Sequence, residues 1–211
     1  MDDSVLKIVN SVKGFLDEDE GRALYAAALE AGRNGPCLEI GSYCGKSAVY
    51  LGLACKKTGN VLYSIDHHRG SEEQQPGEEY FDPDLFDSRA FAVDTFSAFR
   101  QTLVLADLEQ TVIPVVSRSE TVAANWATPL SLVFIDGGHA LETVTADYHA
   151  WSPHLQAGGC LMIHDIFEDP AKGGQAPFQV YRMALESGAY TEASRIKTLG
   201  ILKRIRGQFI S

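Results

Sequence analysis

Pro36-Cys-Leu-Glu-Ile-Gly-Ser-Tyr-Cys-Gly-Lys-Ser47 is the stretch on which the fold turns. Cys37, Leu38 and Ile40 make a short apolar run, Gly41 and Gly45 punctuate a turn, and Lys46 to Lys57 carries apolar residues at helical spacing. The order is strand, glycine turn, helix. Such a turn aims backbone N–H groups at a ligand, and its spacing sorts the ligands. A phosphate-binding loop needs a longer spacer before Gly-Lys-Ser than Ser42, Tyr43 and Cys44 provide. Tyr43 also stands where a dinucleotide fingerprint needs its second glycine. What is left is Glu-x-Gly-x-x-x-Gly from Glu39 to Gly45. An acid there repels phosphate and accepts hydrogen bonds from an ammonium group, so the ligand is expected to be cationic at that end.

A chain of 211 residues, 45% hydrophobic and 22% charged, suits one domain over 1–211 with a sizeable core. The 28 acidic against 18 basic side chains give a net charge of −10, which argues against a broad nucleic-acid or anionic-membrane surface. No early segment has the pattern of a signal peptide, and no apolar run approaches the roughly 20 residues of a membrane span, so a cytoplasmic protein is expected. Cys37, Cys44, Cys55 and Cys160 form no Cys-x-x-Cys pair and are expected as reduced thiols.

Within 1–34, Val5, Leu6, Ile8, Val9 and Val12 predict an amphipathic helix, and Asp17 with Glu20 predicts a capping box opening an alanine-rich helix to Ala31. These helices are also where a homodimer contact is expected. Val61 to Ile65 reads as a second strand ending at Asp66, about 20 residues past the glycine turn, where a carboxylate accepts hydrogen bonds from ribose hydroxyls in nucleoside-binding doubly wound folds. His67 follows it and is placed near the same ligand. The stretch 67–94 loses periodicity; Tyr80, Phe81, Leu85 and Phe86 among its acids predict an ordered lid or substrate loop. A helix is expected over 91–108 and a third strand over 111–116, followed by Ser117-Arg118-Ser119-Glu120. Leu130 to Ile135 predicts a buried strand ending at Asp136, two glycines follow, and His139 precedes the next helix. Gly159 to Ile163 delivers His164 and Asp165 to the same edge. Glu39, Asp66, Asp136, His164 and Asp165 thus all arrive at strand ends, where open α/β sheets bind their ligands. Tyr190 to Ile205 predicts a closing hairpin, and Lys197, Lys203, Arg204 and Arg206 a solvated basic face.

Glu39, Gly41 and Gly45 resemble the first motif of class I methyltransferases that use S-adenosylmethionine. Ile-Asp-Gly-Gly-His at 135–139, Asp147 and Trp151 in the next helix, and Leu-Gln-Ala-Gly-Gly-Cys-Leu-Met-Ile-His-Asp at 155–165 are similar to small-molecule O-methyltransferases that tailor macrolide sugars and cephalosporins. The resemblance implies an α/β fold with a doubly wound, seven-stranded, mostly parallel Rossmann-like sheet and an antiparallel C-terminal strand. It implies S-adenosylmethionine held by Glu39, Gly41, Ser42, Tyr43, Gly45, Ser47, Asp66, His67, Arg118, Ser119 and Asp136. It implies catalysis by His139 as general base with Asp136 and Asp165, methylating a hydroxyl of a small molecule. Metal-dependent relatives hold magnesium with an aspartate matching Asp136 and two adjacent oxygen ligands on the next strand. Here those two positions are His164 and Asp165, and an imidazole suits manganese, iron or zinc better than magnesium. The divalent metal and its identity stay open. Two other classes compete: a metal-dependent hydrolase using Asp136, His139, His164 and Asp165, and a nucleoside-binding protein without catalysis. Glu39 counts against the anionic substrate of the first; methyl transfer to any acceptor would exclude the second.

Overall fold

The computed structural model describes residues 3–205. In chain order the elements are α1 (Asp3–Ser11), α2 (Glu18–Ala31), β1 (Cys37–Ile40), α3 (Lys46–Thr58), β2 (Leu62–Asp66), β3 (Phe86–Asp87), β4 (Ala92–Val93), α4 (Phe96–Leu105) and β5 (Val112–Val116). They continue with α5 (Ser119–Ala123), β6 (Leu130–Ile135), α6 (Leu141–Trp151), β7 (Leu155–Ile163), α7 (Ala176–Glu186), β8 (Tyr190–Ile196) and β9 (Leu199–Arg204). Seven strands form one sheet in the order β5-β2-β1-β6-β7-β9-β8, with β3 and β4 as a separate ribbon. β5, β2, β1, β6 and β7 are parallel, and β9 runs antiparallel to both of its neighbours. This is the doubly wound sheet with a reversed C-terminal strand that the resemblance implies.

The chain steps outward from β1 to β2 and β5, then returns to lay β6 against the other side of β1. That reversal opens a crevice at the carboxyl ends of β1 and β6, the place where open α/β sheets bind ligands. Both strands are buried along their whole length and alternate. Leu38, Ile40, Val133 and Ile135 pack with Trp151 and Tyr181 on one face; Cys37, Leu132 and Phe134 pack with Leu51, Phe99 and Met162 on the other. Burying each such side chain contributes about 1.5–3 kcal/mol before entropy is counted. Val9, Leu24 and Ala28 join the second face, so α1 and α2 turn these apolar residues toward the core.

Several boundaries differ from expectation. The helix expected over 91–108 begins only at Phe96, because the Asp94 side chain accepts the Phe96 N–H (3.0 Å) and Val93 is tied into the β3–β4 ribbon. β7 starts at Leu155 rather than Gly159. The stretch 67–94 is ordered by short 3-10 turns at Glu72–Gln74 and Pro83–Leu85, and Leu85 and Val93 bury themselves against Val12 and Cys44. All four cysteines are buried and free. Trp126, partly buried, packs edge-on against Tyr63 and Trp151 at the margin of the core. No helix among the described residues is long and apolar enough to cross a membrane. Arg206, assigned above to a basic face, lies outside the described residues.

Candidate active site

Gly41 and Asp136 meet at the crevice. A Cβ on Gly41 would lie 2.2 Å from the Asp136 carbonyl oxygen, and φ is +84°, so only glycine lets the two strand ends approach. The turn then folds back on itself through Gly45 N–H to Ser42 carbonyl (2.7 Å), with Tyr43 at φ 47° and Gly45 at φ +93° opening α3. Asp66 lies against this turn. Its Oδ2 accepts the N–H groups of Ser42 and Tyr43 (2.9 Å each), and its Oδ1 accepts that of His68 (2.7 Å). Beside it, Ser42 Oγ and His68 Nε2 are buried without a hydrogen-bond partner among the described residues. Unpaired polar groups in a buried site are costly, so these two atoms, on residues whose backbone N–H groups meet Asp66, fit a polar ligand such as a ribose.

On the other side of Asp136 the acids and imidazoles are linked. His164, 6% exposed, has Nδ1 2.9 Å from Asp136 Oδ1 and 3.4 Å from Asp165 Oδ2, with Nε2 3.0 Å from Glu20 Oε2. His139 Nε2 lies 2.9 Å from Asp165 Oδ2 and its Nδ1 3.1 Å from Glu73 Oε2. Burial by itself would lower the His164 pKa, but the charge and hydrogen bonds of Asp136, Asp165 and Glu20 carry it well above the histidine range. Burial would likewise raise Asp165, yet its bonds to His139 and His164 hold it below the usual carboxylate range. The bond to Asp165, helped by Glu73, raises His139 to about 9. Asp136 is pushed upward by burial.

Asp136, His164 and Asp165 can aim ligand atoms that all lie within 4.8 Å of one another. Two carboxylates and an imidazole whose far nitrogen meets another carboxylate fit a divalent cation, and the nitrogen donor favours manganese, iron or zinc over magnesium.

Other expected residues are placed differently. Glu39 is fully buried, and both carboxyl oxygens accept hydroxyls, those of Ser47 (2.8 Å) and Ser64 (2.7 Å). Period-two alternation turns it away from the strand end and under α3. Ser47 is therefore occupied as well. Ser119 Oγ accepts the Trp151 Nε1–H (2.7 Å) and bonds Asp147, while Arg118 is exposed at the start of α5. His67 is exposed, its Nδ1 accepting the Arg69 N–H (3.0 Å). Glu20 and Glu73 were not singled out for the site from sequence. Glu20 was assigned to a helix cap, a role it also fills, and nothing local announces Glu73.

Residues 38–166 match the family model described as "Methyltransferase domain". Among solved structures, cofactor-bound Rv0187 from MTB is similar at 17% identity, over 99% of this chain and 92% of that chain, with a TM-score of 0.68. The O-methyltransferase TomG from Streptomyces achromogenes, involved in tomaymycin synthesis and solved in complex with SAM, is 16% identical over 98% of this chain and 91% of that chain, TM-score 0.63. An O-methyltransferase from Bacillus cereus in complex with SAH is 14% identical over 98% and 92%, TM-score 0.63. At these identities the likeness is one of fold.

Proposed function

Because the chain belongs to the methyltransferase-domain family, we propose that it transfers the methyl group of S-adenosylmethionine to a hydroxyl of a small molecule. One observation carries this: the Asp66-backed glycine turn and the His139–Asp165 pair lie on opposite sides of the Gly41–Asp136 contact, at one sheet edge. The similar folds solved with SAM or SAH support the choice of cofactor. Bound S-adenosylmethionine supplies a methyl already activated on a sulfonium, so the chain has only to align an oxygen and take its proton.

The turn and Asp66 hold the nucleoside: Asp66 accepts from ribose hydroxyls on the free side of Oδ1, Ser42 supplies its unpaired hydroxyl, and the Arg118–Ser119 turn borders the base. Asp165 orients the His139 ring through Nε2, in the way a buried carboxylate orients a catalytic imidazole. When the acceptor displaces Glu73 from His139 Nδ1, on the side of the 67–94 stretch, one of the two carboxylates that hold the ring protonated is lost; Nδ1 releases its proton to solvent and then receives the proton of the acceptor hydroxyl. The same stretch acts as the lid that selects the acceptor. Asp136, His164 and Asp165 would hold a divalent cation, which when bound lowers the pKa of a nearby hydroxyl.

Calorimetry on metal-stripped protein tests this first. S-adenosylmethionine and S-adenosylhomocysteine should bind with micromolar dissociation constants. Absence of binding with and without added manganese would overturn the proposal and favour a metal-dependent hydrolase on the same cluster.

A further inference from the structure

We propose that Glu20 is a positioning residue for the cation site, fixing His164 so that its Nδ1 faces a divalent metal together with Asp136 and Asp165. This rests on the assignment of those three residues as cation ligands made above.

Glu20 sits in the first turn of α2 and is 3% exposed. Its capping contact, from the Asp17 N–H at 3.4 Å, is long and does not require burial. The remaining contacts are shorter and come from far along the chain. Oε1 accepts the N–H (2.8 Å) and hydroxyl (2.7 Å) of Thr198 in the β8–β9 turn, and Oε2 faces His164 Nε2 at 3.0 Å. A buried carboxylate is retained only where it is fully paired, and every partner beyond the cap serves to aim it at His164.

An imidazole binds a metal through its unprotonated nitrogen, and a carboxylate on the other nitrogen decides which one that is. With the Nε2 proton held by Glu20, the lone pair falls on Nδ1, the atom 2.9 Å from Asp136 and 3.4 Å from Asp165. A cation binding there displaces any proton on Nδ1 to solvent and takes its place among the same groups. One nitrogen and two carboxylates then select manganese, iron or zinc rather than magnesium.

The test titrates the metal-stripped full chain with manganese chloride, following free Mn2+ by electron paramagnetic resonance. One site is expected in the wild type, weakened about 10- to 100-fold by Glu20→Gln, the usual cost of losing such an outer partner. Circular dichroism and S-adenosylhomocysteine calorimetry on the variant establish that it is folded. Independently of any variant, 15N-histidine NMR of the zinc-loaded wild type should show metal at His164 Nδ1 and a proton on Nε2. Unchanged manganese affinity in a folded Glu20→Gln, or coordination through Nε2, overturns the role of Glu20. A wild type that binds neither metal removes the cation site itself, and S-adenosylhomocysteine binding by that protein would leave methyl transfer standing.

Discussion

Glu39 places a carboxyl group in the middle of the sheet, where ionisation is costly. Burial pushes its pKa up to about 8, against the two hydroxyls that favour the charged form, whereas in the unfolded chain it titrates near 4.5. Between those values the folded state holds a proton that the unfolded state releases, so the contribution to stability is full below about pH 4.5 and falls as pH rises toward about 8. Glu39→Gln mimics the protonated form and should remove that slope. Urea unfolding at pH 8 should find it more stable than the wild type by several kcal/mol; a wild type equally stable at pH 5 and pH 8 would contradict a protonated Glu39. The sequence shows an acid beside a glycine turn, which suggests a ligand contact. It also shows the alternation Leu38-Glu39-Ile40, which turns Glu39 to the face of α3, but the two serines waiting there come from Ser47 and Ser64 and become partners only after folding. Glu20 shows the same effect in reverse, since its cap is a local pattern and its bond to His164 spans 144 residues.

At the scale of elements, the β1–α3 turn depends on the close passage of Gly41 beside β6. Gly41→Ala adds two penalties: a left-handed backbone at φ +84°, and a Cβ only 2.2 Å from a backbone oxygen that cannot rotate away. Gly59, ending α3 at φ +73°, has no atom within 4 Å of the same added Cβ and separates the two. Gly59→Ala should cost about 1 kcal/mol, and Gly41→Ala about 3 kcal/mol or more, as read from urea midpoints at constant slope. Similar losses at the two sites would mean that the strand ends relax and the contact is not required. Elements with strong periodicity, such as β1, β6 and α3, were legible for the reason that makes this turn sensitive: their pattern and their packing coincide. The start of α4 was not, because Phe91 carries on a helical spacing by eye while standing 85% exposed beyond the ribbon at φ 54°.

Across the whole molecule, the segment between α1 and α2 meets the 67–94 stretch over the glycine turn. Lys13 pairs with Asp82 (2.5 Å) and Asp84 (3.0 Å), Phe15 stacks edge-on with Tyr80 at 5.3 Å, and Phe15 also faces Tyr43 of the turn at 6.2 Å. Glu73 completes the closure at His139. None of these contacts repeats with a helix or strand period, which is why the sequence shows an ordered stretch there without showing what orders it. The ion pairs are half-exposed, so screening leaves them little weight in global stability. Their effect should be local instead. Lys13→Ala should speed hydrogen exchange about two- to fivefold at Tyr80, Phe81 and Leu85, whose amides are bonded within the stretch, the factor expected for losing an exposed pair. The β1 and β6 amides, bonded inside the buried sheet, should keep their rates. If instead they quicken together with the stretch, it opens only when the sheet does, and a lid that moves separately to admit an acceptor is excluded. If the stretch alone responds, the closure over His139 is a unit of low local stability resting on a rigid sheet, the division of labour that acceptor entry requires.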